Sequence, residues 1–369
     1  MNAFTKKDLI EMWKRPVERQ YNIAMTKIFE AIKDTGGDIS ICFSGGKDSA
    51  LLLDMYCETV SQTAYRDKPV QVYFANTTNE TKNMISFIHS FIPWVEEKYG
   101  VTVDFHEVRP SKNLVWVNFV RDNGIPLISK AQSKAIRTVK QDMKNTGCDF
   151  DTVLRLAKPE MSCVNELQDI GFSKTGILSL TGYVSSRQCF GKMFTLSKKW
   201  FPMLKCDIDL TEQCCVKIKE EPLRIFTNMS MMTGEQANES ASREVTYLKR
   251  GCNARLPNGK YRSTPLGAMT KDGVLFALKY RQTPICADYG EIVCENGHYC
   301  CTKSQRTGCA LCGFGCQYDT ERFVRLQETE PAKVAFAFTP KSKGGAGYRE
   351  AIEFMNEFCG TKVLIPQVD

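Results

Sequence analysis

The sequence predicts an α/β fold: a doubly wound parallel sheet with a cysteine-rich region in its C-terminal part. Three observations predict it. An apolar run at residues 39–43 ends in a two-glycine turn and passes straight into a helical stretch. Strand-like and helix-like patterns alternate from residue 17 to residue 105. The 17 cysteines are scattered until they crowd near the C-terminal third.

Val17 to Ile32 places Val17, Tyr21, Ala24, Ile28, Phe29 and Ile32 at helical spacing, with Pro16 before it and Gly36-Gly37 after it. Ile39-Ser40-Ile41-Cys42-Phe43 reads as a strand and Ala50-Leu51-Leu52-Leu53 as the helix beyond the turn. Val70 to Ala75 is a second buried strand, Met84 to Tyr99 a helix bent at Pro93, and Val101 to Phe105 a third strand. This β-α-β-α-β order predicts parallel pairing. Ligands of such sheets lie beyond the carboxyl ends of the strands, where Ser44–Ser49 and Asn76-Thr77-Thr78 fall. Further on, Ile177–Leu180 and Arg224–Met232 read as strands. Gly273–Tyr280, Thr320–Leu326 and Tyr348–Phe358 read as helices.

A chain of 369 residues with 43% hydrophobic content can bury the core of two domains, or of one large α/β domain with an appendage. No apolar run approaches the ~20 residues of a membrane span. The opening Met1-Asn2-Ala3-Phe4-Thr5-Lys6-Lys7-Asp8 lacks the apolar core of a signal peptide. A cytoplasmic location with no membrane partner is expected. In a reducing compartment, crowded cysteines point to metal or redox chemistry rather than a disulfide scaffold. The net charge of +7 permits a polyanionic partner.

The turn Ser44-Gly45-Gly46-Lys47-Asp48-Ser49 has the chemistry of a phosphate cradle. Its glycines let the backbone approach an anion, the new helix aims unpaired N–H groups at it, the serines add hydroxyl donors and Lys47 adds charge. The Walker pattern is absent. These residues resemble the pyrophosphate loop of the N-type ATP pyrophosphatases and of their relatives, the sulfonucleotide reductases. The resemblance implies a Rossmann-like sheet of the adenine nucleotide alpha hydrolase type. It also implies an adenine nucleotide on residues 44–49, with Lys47 stabilising charge on the phosphates and Asp48 orienting the loop or holding Mg²⁺. Lys47-Asp48-Ser49 suits ATP better than an adenylyl sulfate.

Two further segments resemble the same superfamily. Asn76-Thr77-Thr78-Asn79-Glu80-Thr81 is similar to the reductase strand end D-T-G-x-x-F-P-E-T, with Asn76 in place of the acid, and could hydrogen-bond a ribose or adenine edge. A polar helix cap is the plain alternative. Thr233-Gly234-Glu235-Gln236-Ala237-Asn238-Glu239-Ser240-Ala241-Ser242-Arg243 is similar to T-G-x-R-x-x-E-S-x-x-R, matching at Thr233, Gly234, Glu239, Ser240 and Arg243. Gln236 stands where the family has arginine, which removes a phosphate-binding guanidinium. Either the substrate carries less negative charge there, or Arg243, Lys249, Arg250 or Arg255 compensates.

Two cysteine sets are visible. Cys214-Cys215 with Lys219, Pro222, Leu223 and Arg224, followed by Gly308-Cys309-Ala310-Leu311-Cys312, resembles the C-C…C-x-x-C of the iron–sulfur adenylyl sulfate reductases. That resemblance implies a [4Fe–4S] cluster on Cys214, Cys215, Cys309 and Cys312. The rival set, Cys300 or Cys301 with Cys309, Cys312 and Cys316, has local spacing typical of structural Zn²⁺. It resembles the zinc site of the deazaguanine-forming nitrile synthases and the cluster site of the DNA phosphorothioation proteins. The reductases' C-terminal E-C-G-x-H is replaced by Glu357-Phe358-Cys359-Gly360-Thr361, so helix-end packing is the expected role of Cys359.

Lys130, Lys134, Arg137, Lys140 and Lys144 share one side of a helical stretch, able to contact nucleic-acid phosphates or simply solvated. Gly124–Lys130, Lys249–Asn253, Ser263–Leu266 and Tyr289–Ile292 resemble segments of phage and prophage proteins of the phosphoadenosine-phosphosulfate-reductase-like family. With them the resemblance spans residues 38–360. The expected organisation is an N-terminal helical segment (1–37), a nucleotide-binding α/β domain (38–290) and a cysteine-rich metal-binding region with closing helices (291–369). Three functions are open: ATP cleavage at the α–β bond for sulfur transfer to an acceptor, DNA or RNA among them; sulfonucleotide reduction; and non-catalytic binding of nucleotide and nucleic acid with structural zinc. A sulfur-donor protein and a homo-oligomer are compatible partners.

Overall fold

A computed structural model describes residues 4–185, 188–189, 195–226 and 228–368, excluding the side chains of residues 184, 185, 188, 189, 225 and 226. Thr227, inside one expected strand, and the Cys189 side chain therefore lie outside the described residues. The chain clusters into two units, each drawn from two stretches: Met1–Arg109 with Lys219–Gly308, and Pro110–Ile218 with Cys309–Asp369. These boundaries do not coincide with divisions after residues 37 and 290, because the central sheet takes strands from both stretches of the first unit.

The first unit opens with α1 (Lys6–Trp13) and α2 (Val17–Thr35), then alternates β1 (Ser40–Cys42), α3 (Lys47–Ser61), β2 (Val70–Ala75), α4 (Lys82–Tyr99) and β3 (Val103–Val108). The second unit contributes α5 (Trp116–Asn123), β4 (Leu127–Ile128), α6 (Lys130–Thr146), α7 (Phe150–Leu156), α8 (Met161–Ile170), α9 (Lys174–Thr181), β5 (Tyr183–Ser185) and β6 (Gln188–Cys189). The first unit resumes with β7 (Met231–Thr233), α10 (Ala241–Arg250), β8 (Asn253–Arg255), β9 (Tyr261–Ser263), α11 (Lys271–Arg281), β10 (Ile292–Glu295) and β11 (His298–Cys301). β12 (Gly313–Phe314), α12 (Arg322–Thr329), α13 (Pro331–Phe338) and α14 (Tyr348–Cys359) complete the second.

The architecture is α/β. The central sheet of the first unit has order β3-β2-β1-β7-β9-β8, and every pairing is parallel except β8 with β9. Strand order reverses between β1 and β7, a Rossmann-like switch point that opens a crevice for ligands at the carboxyl edge. Ile41 of β1 pairs with Val72 on one side and Met232 on the other, so both neighbours of that crevice are held in register. α2 ends where Gly36 takes φ 60° and sends its N–H back to Ile32 and Lys33.

α3, the helix that carries the glycine turn, buries Ala50–Cys57 along with Thr59 and Val60. Among those buried residues is a charge: Asp54 is fully buried, and Arg281 of α11 donates Nε to its Oδ2 at 2.7 Å. Tyr99 and Thr283 hydroxyls donate to the same carboxylate at 2.5 Å each. Burial alone would raise the Asp54 carboxyl, but the Arg281 guanidinium and the two hydroxyls outweigh it and hold it below its ordinary value. A buried charge so fully bonded ties α3 to α11.

The second unit is mostly helical. Its core gathers Trp116, Phe119, Phe323, Phe338 and Tyr348, and the Tyr348 hydroxyl donates to the Leu311 carbonyl at 2.5 Å. Among the described residues, no helix of the chain is long and apolar enough to cross a membrane.

Three expectations are corrected. Ile177–Leu180 lies inside α9: Ser173 caps its start and Gly182, left-handed, its end, and four apolar residues alone do not separate strand from buried helix. The stretch from Pro222 to Phe226 forms a 3₁₀ turn, and among the described residues there the strand is Met231–Thr233. The third strand starts at Val103 and runs on to Val108, paired along its length with β2.

Candidate functional site

The glycine turn is built around the Ser49 hydroxyl. Ser49 Oγ accepts from the Ser44 amide at 3.1 Å, lies 3.1 Å from Ser44 Oγ and donates to the Gly46 carbonyl at 2.9 Å. These bonds fold the chain between β1 and α3 into a ring. Gly45 takes φ 73°, and a Cβ there would stand 2.5 Å from Met84 Sδ and 2.7 Å from Ile88 Cγ1. Only glycine fits. Gly46 is the N-cap of α3.

Thr233-Gly234 follows β7, the neighbour of β1. A Cβ on Gly234 would stand 2.8 Å from the Asp48 carbonyl oxygen and 3.0 Å from the Ser49 amide, so this backbone packs directly on the first turn of α3. The two segments line one cavity of about 440 Å³, within the ~300–1,000 Å³ common for small ligands. Of the expected nucleotide-binding residues, Ser44, Gly46, Lys47, Asp48, Ser49, Thr233, Gly234, Glu239 and Arg243 line it. Gly45 shapes the turn from behind.

Charge in this cavity is arranged in pairs. Lys47 is only 7% exposed, and its ammonium lies 2.9 and 3.1 Å from the Asp48 carboxylate oxygens. Glu239 pairs with Arg243 and, at 3.3 Å, with Arg306; Arg243 also lies 3.4 Å from Glu235. Lys219 adds a fourth cation to the lining. Each of these pairs can open toward a polyanion and a divalent cation, the guanidiniums and ammoniums taking phosphate oxygens and Asp48 the metal.

Asn76 and Thr77 do not line the cavity. Asn76 donates to Glu107 at 2.8 Å and accepts from the Thr78 amide, while the Thr77 hydroxyl donates to Glu80 at 2.7 Å. Burial raises the Glu107 carboxyl, yet Asn76 and Arg109 outweigh it and hold Glu107 below its ordinary value. The N-cap of α4 is Thr81, not Thr77 or Thr78, and its hydroxyl also donates to Asp288. Gln236, at the family's arginine position, is buried as the N-cap of a 3₁₀ turn and donates to the Thr270 carbonyl at 3.3 Å.

Residues that motif reading did not select complete the cavity. The Tyr289 hydroxyl accepts from the Lys47 amide at 3.2 Å and lies 2.6 Å from Thr307 Oγ1. Arg306 and Thr307 immediately precede the Gly308–Cys312 segment in the sequence, and Tyr289 opens the family-like segment Tyr289–Ile292. Cys42 lines the cavity floor, where burial pushes its thiol up to about 11.

In the second unit, Cys214 lies within hydrogen-bonding reach of Cys215, and its thiol is raised by that bond, by burial and by the proximity of Cys215, Cys312 and Cys309. Cys312 and Cys316 are raised as well, mainly by burial. The four thiols Cys214, Cys215, Cys309 and Cys312 thus gather. As placed, among the described residues, no group of three or more His, Cys, Asp or Glu side chains could hold a metal ion. Cys300 and Cys301 belong to the other unit, on β11.

The basic stripe on α6 is partly paired within its own unit. Arg137 forms a two-point bond with Glu212, and Lys140 pairs with Asp209 at 2.9 Å. Lys134 and Lys144 remain exposed, while Ala135, Ile136 and Val139 pack inward.

No protein-family model matches the chain, and no curated protein matches it. Among solved structures it is similar to a phosphoadenylyl-sulfate (PAPS) reductase from Candida auris in its phosphate complex. The TM-score is 0.34 and the identity 11%, over 77% of this chain and 91% of that one. The likeness is loose, and the functional reading rests on the site's own residues.

Proposed function

We propose that the protein binds ATP with Mg²⁺ on the Ser44–Ser49 turn and cleaves the α–β bond. Pyrophosphate leaves, AMP passes to an oxygen of an acceptor, and a sulfur nucleophile then displaces AMP from it. Nucleic acid is the first acceptor to try. The observation that carries this reading is the convergence of the α3 N-terminus, Lys47, Asp48 and Arg243 on one cavity at the strand-order reversal. Lys47 and the turn amides would hold the charge that develops on the leaving pyrophosphate, and Asp48 would hold Mg²⁺. The test is product analysis after incubating protein, ATP and Mg²⁺ with DNA, RNA and small acceptors. AMP and pyrophosphate are expected; ADP and orthophosphate as sole products would overturn the reading.

One observation favours a second reading, sulfonucleotide reduction: the gathering of Cys214, Cys215, Cys309 and Cys312. Their all-sulfur donor set suits a [4Fe–4S] cluster or Zn²⁺, but as placed, among the described residues, they form no metal site. Sulfite released from an adenylyl sulfate by a thiol reductant would favour this second reading. Iron, sulfide and zinc analysis after anaerobic purification tests the thiol set. Tight ATP binding without turnover, with zinc and no iron, would favour a binding module.

A further inference from the structure

A second cavity, about 420 Å³, lies beside α10 and the carboxyl end of β9. It shares Thr233, Glu235 and Arg243 with the loop cavity, so the two are contiguous along the same edge of the sheet. Arg250 from the end of α10 and Arg262 from β9 both line it, with the hydroxyls of Thr246, Ser263 and Thr264.

Its arginines differ from Arg243. Arg243 is matched by Glu239 and Glu235, and Glu235 also lines this cavity. Among the described residues, no carboxylate pairs with Arg250 or Arg262. Arg262 Nη1 donates to the carbonyls of Met229 and Tyr261, at 2.6 and 3.2 Å, which fixes the guanidinium and leaves Nε and Nη2 for a ligand. Burial first, and the like charge of Arg250 with it, lower the Arg262 guanidinium from its ordinary value, against an opposing pull from Cys42. Two like charges held together in a partly buried site repel unless an anion lies between them.

We propose that Arg250 and Arg262 form a phosphoryl subsite next to the loop cavity, which holds a phosphate of a nucleotide acceptor while the ATP lies on the turn. The cavity has room for the phosphate and its adjoining sugar. The hydroxyls supply neutral hydrogen bonds around it, and the guanidiniums supply charged ones. The subsite rests on the ATP reading only for the identity of its neighbour.

The test uses the full chain saturated with α,β-methylene ATP, which cannot be cleaved at that bond. Two probes are titrated: thymidine 5′-monophosphate, for a free nucleotide, and fluorescein-labelled single-stranded dT12, for a phosphate within a strand. At least one probe is expected to bind. Arg250→Gln, an exposed position at a helix end, is expected to weaken that probe about tenfold while leaving affinity for the analogue unchanged. Lys279→Gln, also exposed, should change neither. Failure of both probes to bind wild type, or unchanged probe affinity in Arg250→Gln, overturns the subsite, as does equal loss of probe and analogue in that variant. Probes that bind wild type while the analogue does not would sink the ATP reading and leave the subsite standing.

Discussion

The glycine turn and the cysteine cluster both stood out as motifs, yet they are built differently. In the turn, backbone makes the site: Gly45 at φ 73°, Gly234 packed on the Asp48 carbonyl, and one serine hydroxyl closing the ring. In the cluster, four side chains from two distant stretches gather without forming a group that could hold a metal. A site made of local backbone geometry is complete in the polypeptide itself. A site made of converging thiols has electrostatic reason to wait for a cation, because Cys215, Cys312 and Cys309 all raise the Cys214 thiol.

The largest expected effect tests what holds the turn's helix. Asp54→Asn removes the charge opposite buried Arg281 and should cost about 3 kcal/mol or more in urea unfolding. The sign with pH follows from the depressed carboxyl. The pair contributes fully above the unfolded carboxyl value of about 3.9 and is lost as pH falls through the lower folded value. The stability gap between wild type and Asp54→Asn should therefore narrow on acidification below pH ~4; a gap that widens there would contradict the assignment.

Next is Gly234→Ala. The new Cβ meets backbone rather than a yielding side chain, so a loss of about 1–3 kcal/mol is expected, together with loss of nucleotide affinity. Unchanged binding would mean that β7 and α3 need not touch for the cavity to form.

Cys214→Ser probes the other side of the comparison. Iron or zinc present in anaerobically purified wild type should fall sharply in this variant. Equal metal in both would remove Cys214 from the set. The smallest effect belongs to Arg137→Gln, which breaks a partly exposed pair with Glu212 and should cost about 0.5–1 kcal/mol in thermal unfolding.

These contrasts also explain what the sequence made legible. The β-α-β-α-β order and the Ser44–Ser49 turn were readable because glycine, serine and hydrophobic period act on their immediate neighbours. The bonds of Asn76 and Thr77 to Glu107 and Glu80 were not legible, because a polar strand end does not specify which way its groups turn. Ile177–Leu180 misled because its helix is set by caps at Ser173 and Gly182, outside the apolar run. The basic stripe of α6 was visible, but its partners Asp209 and Glu212 lie some 70 residues along the chain, at separations of 69 and 75. Tyr289, Arg306 and Thr307 reach the cavity from far along the sequence (Tyr289 bonds Lys47 at a separation of 242), beyond any local signal.

The most direct test of the central claim is a calorimetric titration of ATP·Mg²⁺ into wild type and Lys47→Ala. One binding event per chain is expected in wild type, weakened at least about tenfold in the variant, as loss of a charged hydrogen bond requires. No binding to folded wild type, or equal affinity in the two proteins, would contradict the assignment of Ser44–Ser49 as the nucleotide cradle.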